Sequence, residues 1–130
     1  MSGVQSYRDL LVWQRAMDIA AATYELSRLY PKDELFGLTS QSRRAAASIA
    51  ANIAEGHGRT NRSTFAHFLR IAQGSLKELE THLLLAERVG VAPPQSTGAL
   101  LASTDELGRM LRALIVKVQK RPVDLSSPNS

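Results

Sequence analysis

Histidine and carboxylate side chains at metal-ligand spacing are the first residues to weigh, since they could hold zinc or a di-iron centre. His57, His67 and His82 are the only imidazoles, and Glu78 precedes His82 by four residues, which places both on one side of a helix. A zinc or di-iron site needs three or four ligands, and no second pair at that spacing is present. We therefore expect an exposed ion pair between Glu78 and His82, with no metal and no other cofactor.

The other patterns that carry catalysis are missing from the sequence. Cysteine does not occur, which excludes a thiolate nucleophile, a disulfide framework and thiolate-bound metal clusters. No serine lies in the glycine-flanked elbow typical of hydrolases. The segment GHGR at residues 56–59 has the glycines of a phosphate-binding loop but lacks the lysine and the hydroxyl residue of a P-loop. We expect a turn between two helices there, and a protein that is not an enzyme.

The cationic side chains are the strongest functional lead. Residues 41–77 contain six basic residues against the single acid Glu55, whereas the whole chain has a formal net charge of only +4. Most of the cations are arginines, whose planar guanidinium groups bind phosphate through two parallel hydrogen bonds. Phosphate contacts supply most of the sequence-independent affinity for nucleic acid. The candidate nucleic-acid-binding residues are Arg43, Arg44, Arg59, Arg62, Arg70 and Lys77.

A second interpretation of the same cations stays open. They could form a solvated face that pairs with the five acids of residues 78–108, and such exposed pairs contribute little to stability. Arg43 and Arg44 are adjacent, so they point about 100° apart on a helix and cannot both line one small site. Most phenylalanines and tyrosines fall at core spacing, which leaves no exposed platform for stacking bases. No helix-turn-helix, zinc-finger or RNA-binding motif is present.

Helical periodicity runs through every long segment and predicts the elements that position these residues. Apolar residues recur at steps of three and four, and no segment alternates with period two. We predict helices over about 8–29, 33–55, 62–89 and 97–121, with Gly56 and Gly90 as left-handed stops and Thr60 or Asn61 as an N-cap. Short loops favour an all-α, antiparallel up-down-up-down four-helix bundle in one domain, residues 1–122, followed by a flexible tail at 123–130.

The second predicted helix has more apolar surface than one bundle needs. From residue 45 to 54 it reads AAASIAANIA, and beyond Arg43 its outward side is nearly all alanine. We interpret this side as a subunit interface, although alanine is also simply the best helix former. Within the same helix, Asn52 is expected to set helix register, and Glu55 to pair with Arg44 or with Arg59. The candidate interface residues are Ala47, Ala50, Ala51 and Ala54.

Several motifs in residues 7–91 resemble a known family. The element NIAEG-x-GR occupies residues 52–59, QxRRA residues 41–45 and ELFGL residues 34–38. These motifs are similar to those of a bacterial four-helix-bundle family encoded in intervening sequences of large-subunit ribosomal RNA genes. The accessory variability determinant of diversity-generating retroelements belongs to the same group.

The resemblance implies a homopentameric ring of bundles without catalytic residues. For the retroelement accessory it also implies binding of RNA or DNA and of a reverse transcriptase through a basic surface. The sequence holds no stretch long and apolar enough for a membrane span, so we expect a cytoplasmic protein. Its expected role is that of a non-enzymatic oligomeric nucleic-acid-binding accessory factor. The alternative is a protein-interaction scaffold in which the arginines are structural and nucleic acid is not bound.

Overall fold

Four helices, each packed against its neighbours in the chain, make up the structure. The computed structural model describes residues 6–120, and within them the helices are α1 (Leu11–Ser27), α2 (Ser40–His57), α3 (Arg62–Arg88) and α4 (Pro94–Gln119). Helix α1 also packs against α4, so that each helix contacts two others in a closed four-helix arrangement. The described residues contain no strand. The prediction of an all-α up-down-up-down bundle is confirmed. The tail predicted at 123–130 lies outside the described residues.

The core follows the apolar stripes that helical spacing predicts. Side chains of α2, α3 and α4 with at most 1% exposure form its centre, and α1 adds a buried stripe that includes Val12, Ile19 and Leu26. Burying a leucine or isoleucine side chain stabilises the folded state by about 1.5–3 kcal/mol. The largest of these buried side chains are Ile49, Ile53, Leu69, Leu76, Leu79, Leu83, Leu107 and Leu111.

Helix α1 begins at Leu11 and not at Arg8. The Ser6 hydroxyl accepts a hydrogen bond from the Arg8 amide, and the Asp9 carboxylate accepts one from the Ser6 amide at 3.1 Å. This capping box closes a separate 3-10 turn over Tyr7–Asp9. Leu10 is then extended, so the α-helix has to start after it.

Helix α2 begins at Ser40, seven residues later than the predicted start at 33. A 3-10 turn over Lys32–Glu34 and a π-helical turn over Leu35–Thr39 precede it. Gly37 has φ −112° and ψ −113°, a backbone geometry that interrupts a regular helix. The Glu34 carboxylate accepts a hydrogen bond from the Leu38 amide at 3.2 Å and so satisfies one of the amides released by this kink.

The prediction that Gly56 is a left-handed stop is wrong. Gly56 lies inside α2, and a Cβ atom placed on it would be 2.6 Å from the Cβ of Phe68. The glycine is therefore required by the close approach of α3, and not by the end of a helix. Gly90, with φ 78°, does have the left-handed geometry expected after the end of α3. At the start of α3, the Asn61 side chain acts as the N-cap by accepting a hydrogen bond from the Thr64 amide.

Helix α4 begins at Pro94, three residues before the predicted start at 97. Proline suits the first turn of a helix because that position needs no intrahelical amide donor and its φ is already helical. Nearby, Thr97 is fully buried and donates its hydroxyl hydrogen to the Glu87 carboxylate, which joins the start of α4 to the end of α3.

Replacement of Gly56 by alanine is expected to lower the free energy of unfolding by about 1–3 kcal/mol, because the new methyl would overlap Phe68. Gly74→Ala is the matched control: nothing lies within 4 Å of its Cβ position, and we expect a gain of up to about 1 kcal/mol from helix propensity. Urea unfolding followed by circular dichroism measures both. Equal stability of the two variants would contradict the close packing of α2 on α3.

Candidate nucleic-acid interface

Three of the predicted cations lie along one side of α3. Arg62, Arg70 and Lys77 follow one another at steps of eight and seven residues, so they stay within about a quarter turn of each other on the helix. At 1.5 Å per residue the row is about 22 Å long. All three side chains border α4.

Two open depressions lie between α3 and α4, and both are lined by Arg70. Their volumes are about 520 and 570 Å³. Together they form one surface, which we call the α3–α4 groove. The first is lined by Asn61, Arg62, Ser63, Ala66, Arg70, Val118 and Gln119. The second is lined by Arg70, Gln73, Gly74, Leu76, Lys77, Asp105, Gly108, Arg109 and Arg112.

Helix α4 adds two cations that the sequence analysis missed. Arg109 and Arg112 line the second depression opposite Arg70 and Lys77. The sequence does show a second cluster of positive charge, because five of the last 22 residues are basic. Which of them face α3 depends on the rotation of α4 about its axis, and sequence spacing does not determine that rotation. The groove thus has five cations in its lining against the single acid Asp105.

The cations of the groove differ in whether they already form an ion pair or hydrogen bond with another residue of the chain. Lys77 lies 3.1 Å from the Glu80 carboxylate, and Arg109 lies 2.6 Å from the carboxylate of Asp105. Arg70 and Arg112 are exposed and have no hydrogen bond or ion pair with any residue that the structure describes. Two guanidinium groups are therefore available to an anion without breaking an internal contact.

Arg62 has a contact of a different kind at the end of the groove. Its guanidinium donates a hydrogen bond of 2.7 Å to the carbonyl of Lys120, the residue that caps the C-terminus of α4. The last carbonyls of a helix carry partial negative charge and lack intrahelical donors. Arg62 thus ties the end of α4 to the start of α3, and it also lines the first depression.

Arg43 and Arg44 lie away from the groove, on two different sides of α2, in agreement with their angular separation. Arg43 is half-buried: its Nε donates to the Ser27 hydroxyl at 2.8 Å, and its guanidinium lies 4.7 Å from the centre of the Tyr24 ring. Arg44 is exposed beside a separate depression that Glu78 also lines. Arg43 therefore joins α2 to α1, while Arg44 is free in the described structure.

Arg59 also has a structural partner. It pairs with the Glu55 carboxylate one turn earlier, and its guanidinium lies over the Phe68 ring at 5.4 Å from the centre. Of the two partners considered for Glu55, Arg59 is the observed one. Arg59 covers the contact between α2 and α3, and it does not line the α3–α4 groove.

The candidate interface alanines divide between the outside and the inside of the bundle. Ala47 and Ala51 are exposed, and Ala54 is half-buried. Ala50 is only 4% exposed and packs in the core of the bundle, so it does not belong to the outward side. The physical reason is the wide buried stripe of α2, which is packed by α1 on one side and by α3 on the other. The outward alanine surface is therefore narrower than the sequence pattern indicates.

Asn52 takes part in a polar contact between α2 and α3. Its side-chain amide donates to the Ser48 carbonyl at 2.8 Å and to the Ser48 hydroxyl at 3.0 Å. The Ser48 and Ser75 hydroxyls are 2.8 Å apart, so the hydrogen bonds continue onto α3. The hydrogen bond that crosses to α3 is the one between the two serines, and Asn52 supports it from within α2. That Asn52 sets the register of the helices stays a prediction.

The histidines form no metal site in the part of the chain that the structure describes. The His82 Nε2 lies 3.5 Å from the Glu78 carboxylate, and His82 itself is half-buried. No group of three or more histidine, cysteine, aspartate or glutamate side chains is close enough to hold a metal within residues 6–120. Among the same residues, no helix combines the length and the apolar character that crossing a membrane requires.

Comparison with known proteins supports the fold and the family. The chain matches the family model described as 23S rRNA-intervening sequence protein over residues 8–113. It is similar to the crystal structure of a protein of unknown function from the S23 ribosomal protein family of Bacteroides thetaiotaomicron, with a TM-score of 0.75 and 24% identity, over 81% of this chain and 98% of that one. At that identity the likeness concerns the fold. No curated protein matches the chain.

Arg43→Gln is expected to lower the free energy of unfolding by about 1–2 kcal/mol, because it removes the hydrogen bond to Ser27 and the contact with Tyr24. Arg44→Gln, the same change at the next residue, should stay within about 0.5 kcal/mol of the parent. Chemical unfolding at fixed salt compares them. Equal losses in both variants would show that Arg43 has no special structural role.

Proposed function

The chain belongs to the family of 23S rRNA-intervening sequence proteins, and on that premise we propose that it is a non-enzymatic oligomeric protein that binds nucleic acid through the α3–α4 groove. One observation carries the proposal: the groove is lined by five cations and one acid, and two of its arginines have no partner in the described structure. We propose that it acts as an accessory factor in the cytoplasm, on RNA or DNA.

The length and charge of the groove suit a polyanion better than a small ligand. The row of cations on α3 extends over about 22 Å, which is long enough to reach several successive phosphates of one strand of a double helix. Each phosphate neutralised releases condensed counterions, so several weak contacts add up to useful affinity. A small anion could satisfy only one or two of these cations at a time.

We propose that the molecule is a homopentamer, as its resemblance to the retroelement accessory protein implies. Ala47 and Ala51 offer small, apolar side chains on the outside of α2, and nearby Tyr24 and Met17 of α1 are 42% and 45% exposed. A pentamer would repeat the groove five times and carry five times the chain's charge of +4. A reverse transcriptase is a further partner that this resemblance implies.

The competing function is a protein-interaction scaffold with structural arginines. Arg43 and Arg59 favour it, because both are engaged in contacts within the bundle. Arg70 and Arg112 do not fit this role, since they make no internal contact in the described structure. We therefore place the nucleic-acid site on the groove and assign structural roles to Arg43 and Arg59.

Combined replacement of Arg62, Arg70 and Lys77 by glutamine should weaken binding to a fluorescein-labelled RNA hairpin by more than about tenfold at low salt, because three phosphate contacts are lost. Fluorescence anisotropy titrations between 50 and 200 mM salt, values chosen to bracket roughly physiological strength, give both affinity and salt dependence. The matched control replaces Arg28, Lys32 and Arg88, which are exposed and do not line the groove. Negligible binding by the parent and both variants would contradict the nucleic-acid-binding function and would favour the protein-interaction scaffold.

Ala51→Glu is expected to reduce the oligomer to monomers, because it places charge in the proposed contact between subunits. Ala102→Glu on α4 is the control, since Ala102 is also exposed but lies on a different helix. Sedimentation velocity of both variants and the parent at micromolar concentration measures the assembly. A parent that sediments as a monomer, or an unchanged oligomer for Ala51→Glu, would contradict the proposed interface.

A further inference from the structure

We infer that the α3–α4 groove holds one phosphate strand of a double helix, and that Arg70 and Arg112 form a pair of guanidinium groups that grips a single phosphate. The inference rests on the proposed nucleic-acid function and adds to it the kind of nucleic acid and the residues at the centre of the contact. It draws on three independent observations: two arginines without an internal partner, two glycines that line the same depression, and the lack of aromatic side chains in the lining.

The free arginines come from opposite walls of the same depression. Arg70 is on α3 and Arg112 on α4, and both line the depression of about 570 Å³. Neither has an acidic partner in the described structure, whereas the other two cations of this depression do: Lys77 contacts Glu80 and Arg109 contacts Asp105. Guanidinium groups approaching from two sides can satisfy several oxygens of one phosphate, which is an arrangement that a lysine pair does not reproduce.

Two glycines line the same depression as the two arginines. Gly74 of α3 and Gly108 of α4 both line the depression, and a Cβ atom added to Gly74 would meet nothing within 4 Å. Glycine in the middle of a helix lowers stability by about 1 kcal/mol relative to alanine, and no close neighbour in the described bundle requires Gly74. The missing side chains leave room for a phosphate and its sugar to approach the helix backbones.

The lining of the groove excludes recognition by base stacking. No aromatic side chain lines either depression. The exposed aromatic residues lie elsewhere: Phe36 is 91% exposed before α2, and the Tyr24 ring is covered by Arg43. Proteins that bind single strands generally provide rings on which unstacked bases lie, whereas a double helix presents its phosphates outward with its bases already stacked. The groove therefore favours a double helix, without selection among base sequences.

The ion pair between Arg109 and Asp105 inside the groove sets an order of engagement. Arg70 and Arg112 can bind at once, but Arg109 has to leave Asp105 before it contacts a phosphate. Removal of that acid should release Arg109 and also remove the one negative charge in the lining. Asp105→Asn is therefore expected to tighten duplex binding, which is the opposite direction from the arginine variants.

The experiment compares a duplex RNA of about 20 base pairs with a uridine homopolymer of equal length, by anisotropy across a salt series. The parent should prefer the duplex. Arg70→Gln with Arg112→Gln should weaken duplex binding by about tenfold or more and lower the salt slope by about one, because the pair neutralises a single phosphate. The corresponding lysine double variant should recover the slope but only part of the affinity, because the charge returns without the forked geometry.

Arg28→Gln with Arg88→Gln is the control of equal charge outside the groove, and it should bind as the parent does. Thermal unfolding of each variant checks that the bundle is intact, which we expect because Arg70 and Arg112 are exposed. Tighter binding of the homopolymer, or equal losses in the control and in the groove variant, would overturn this inference while nucleic-acid binding stands. If the parent binds neither nucleic acid, the proposed function itself is wrong.

Discussion

The close approach of α2 and α3 is the constraint on which the rest of the structure depends. At Gly56 the absence of a side chain lets Phe68 lie against the backbone of α2, and two turns away the Ser48 and Ser75 hydroxyls share a hydrogen bond. Contacts at two heights fix both the rotation of α3 about its axis and its register. The opposite flank of α3, which carries Arg70, then has to border α4. The basic groove is in this sense a consequence of the close contact that α3 makes with α2 on its other side.

Charge is distributed so that the groove keeps its positive character although acidic residues are close in sequence. Three acids in the described part of the second half of the chain pair with basic residues: Glu80 contacts Lys77, Asp105 contacts Arg109, and Glu106 contacts Arg15 of α1 at 2.9 Å. These exposed pairs contribute little to stability. Their effect is on availability, because each pair occupies one cation and leaves the arginines between them uncompensated. The solvated-face interpretation therefore fits the paired cations, whereas Arg70 and Arg112 have no partner in the described structure and are the residues to which the proposed anion binding is assigned.

The sequence predicts this fold well because apolar spacing and helix punctuation agree over each long segment. Where the prediction fails, the decisive interaction is either very local or between helices. The kink at Gly37 depends on a backbone geometry that no residue pattern specifies. A glycine in the sequence, such as Gly56, does not show whether it ends a helix or makes room for a neighbouring side chain such as Phe68. For the site, spacing along α3 correctly groups Arg70 and Lys77. Arg112 could not be added, because it joins them only through the way α4 is rotated against α3.

The division of the alanines of α2 has a consequence for design. Ala50 is enclosed by the bundle, while Ala47 and Ala51, about 60° and 100° away from it around the helix axis, are exposed and make no demand on the core. Side chains of many shapes can be introduced at the two exposed positions while the interior of the bundle is left as it is. The molecule therefore separates, on a single helix, residues that encode its fold from residues that only cover its surface, and the second set can be varied as an independent library.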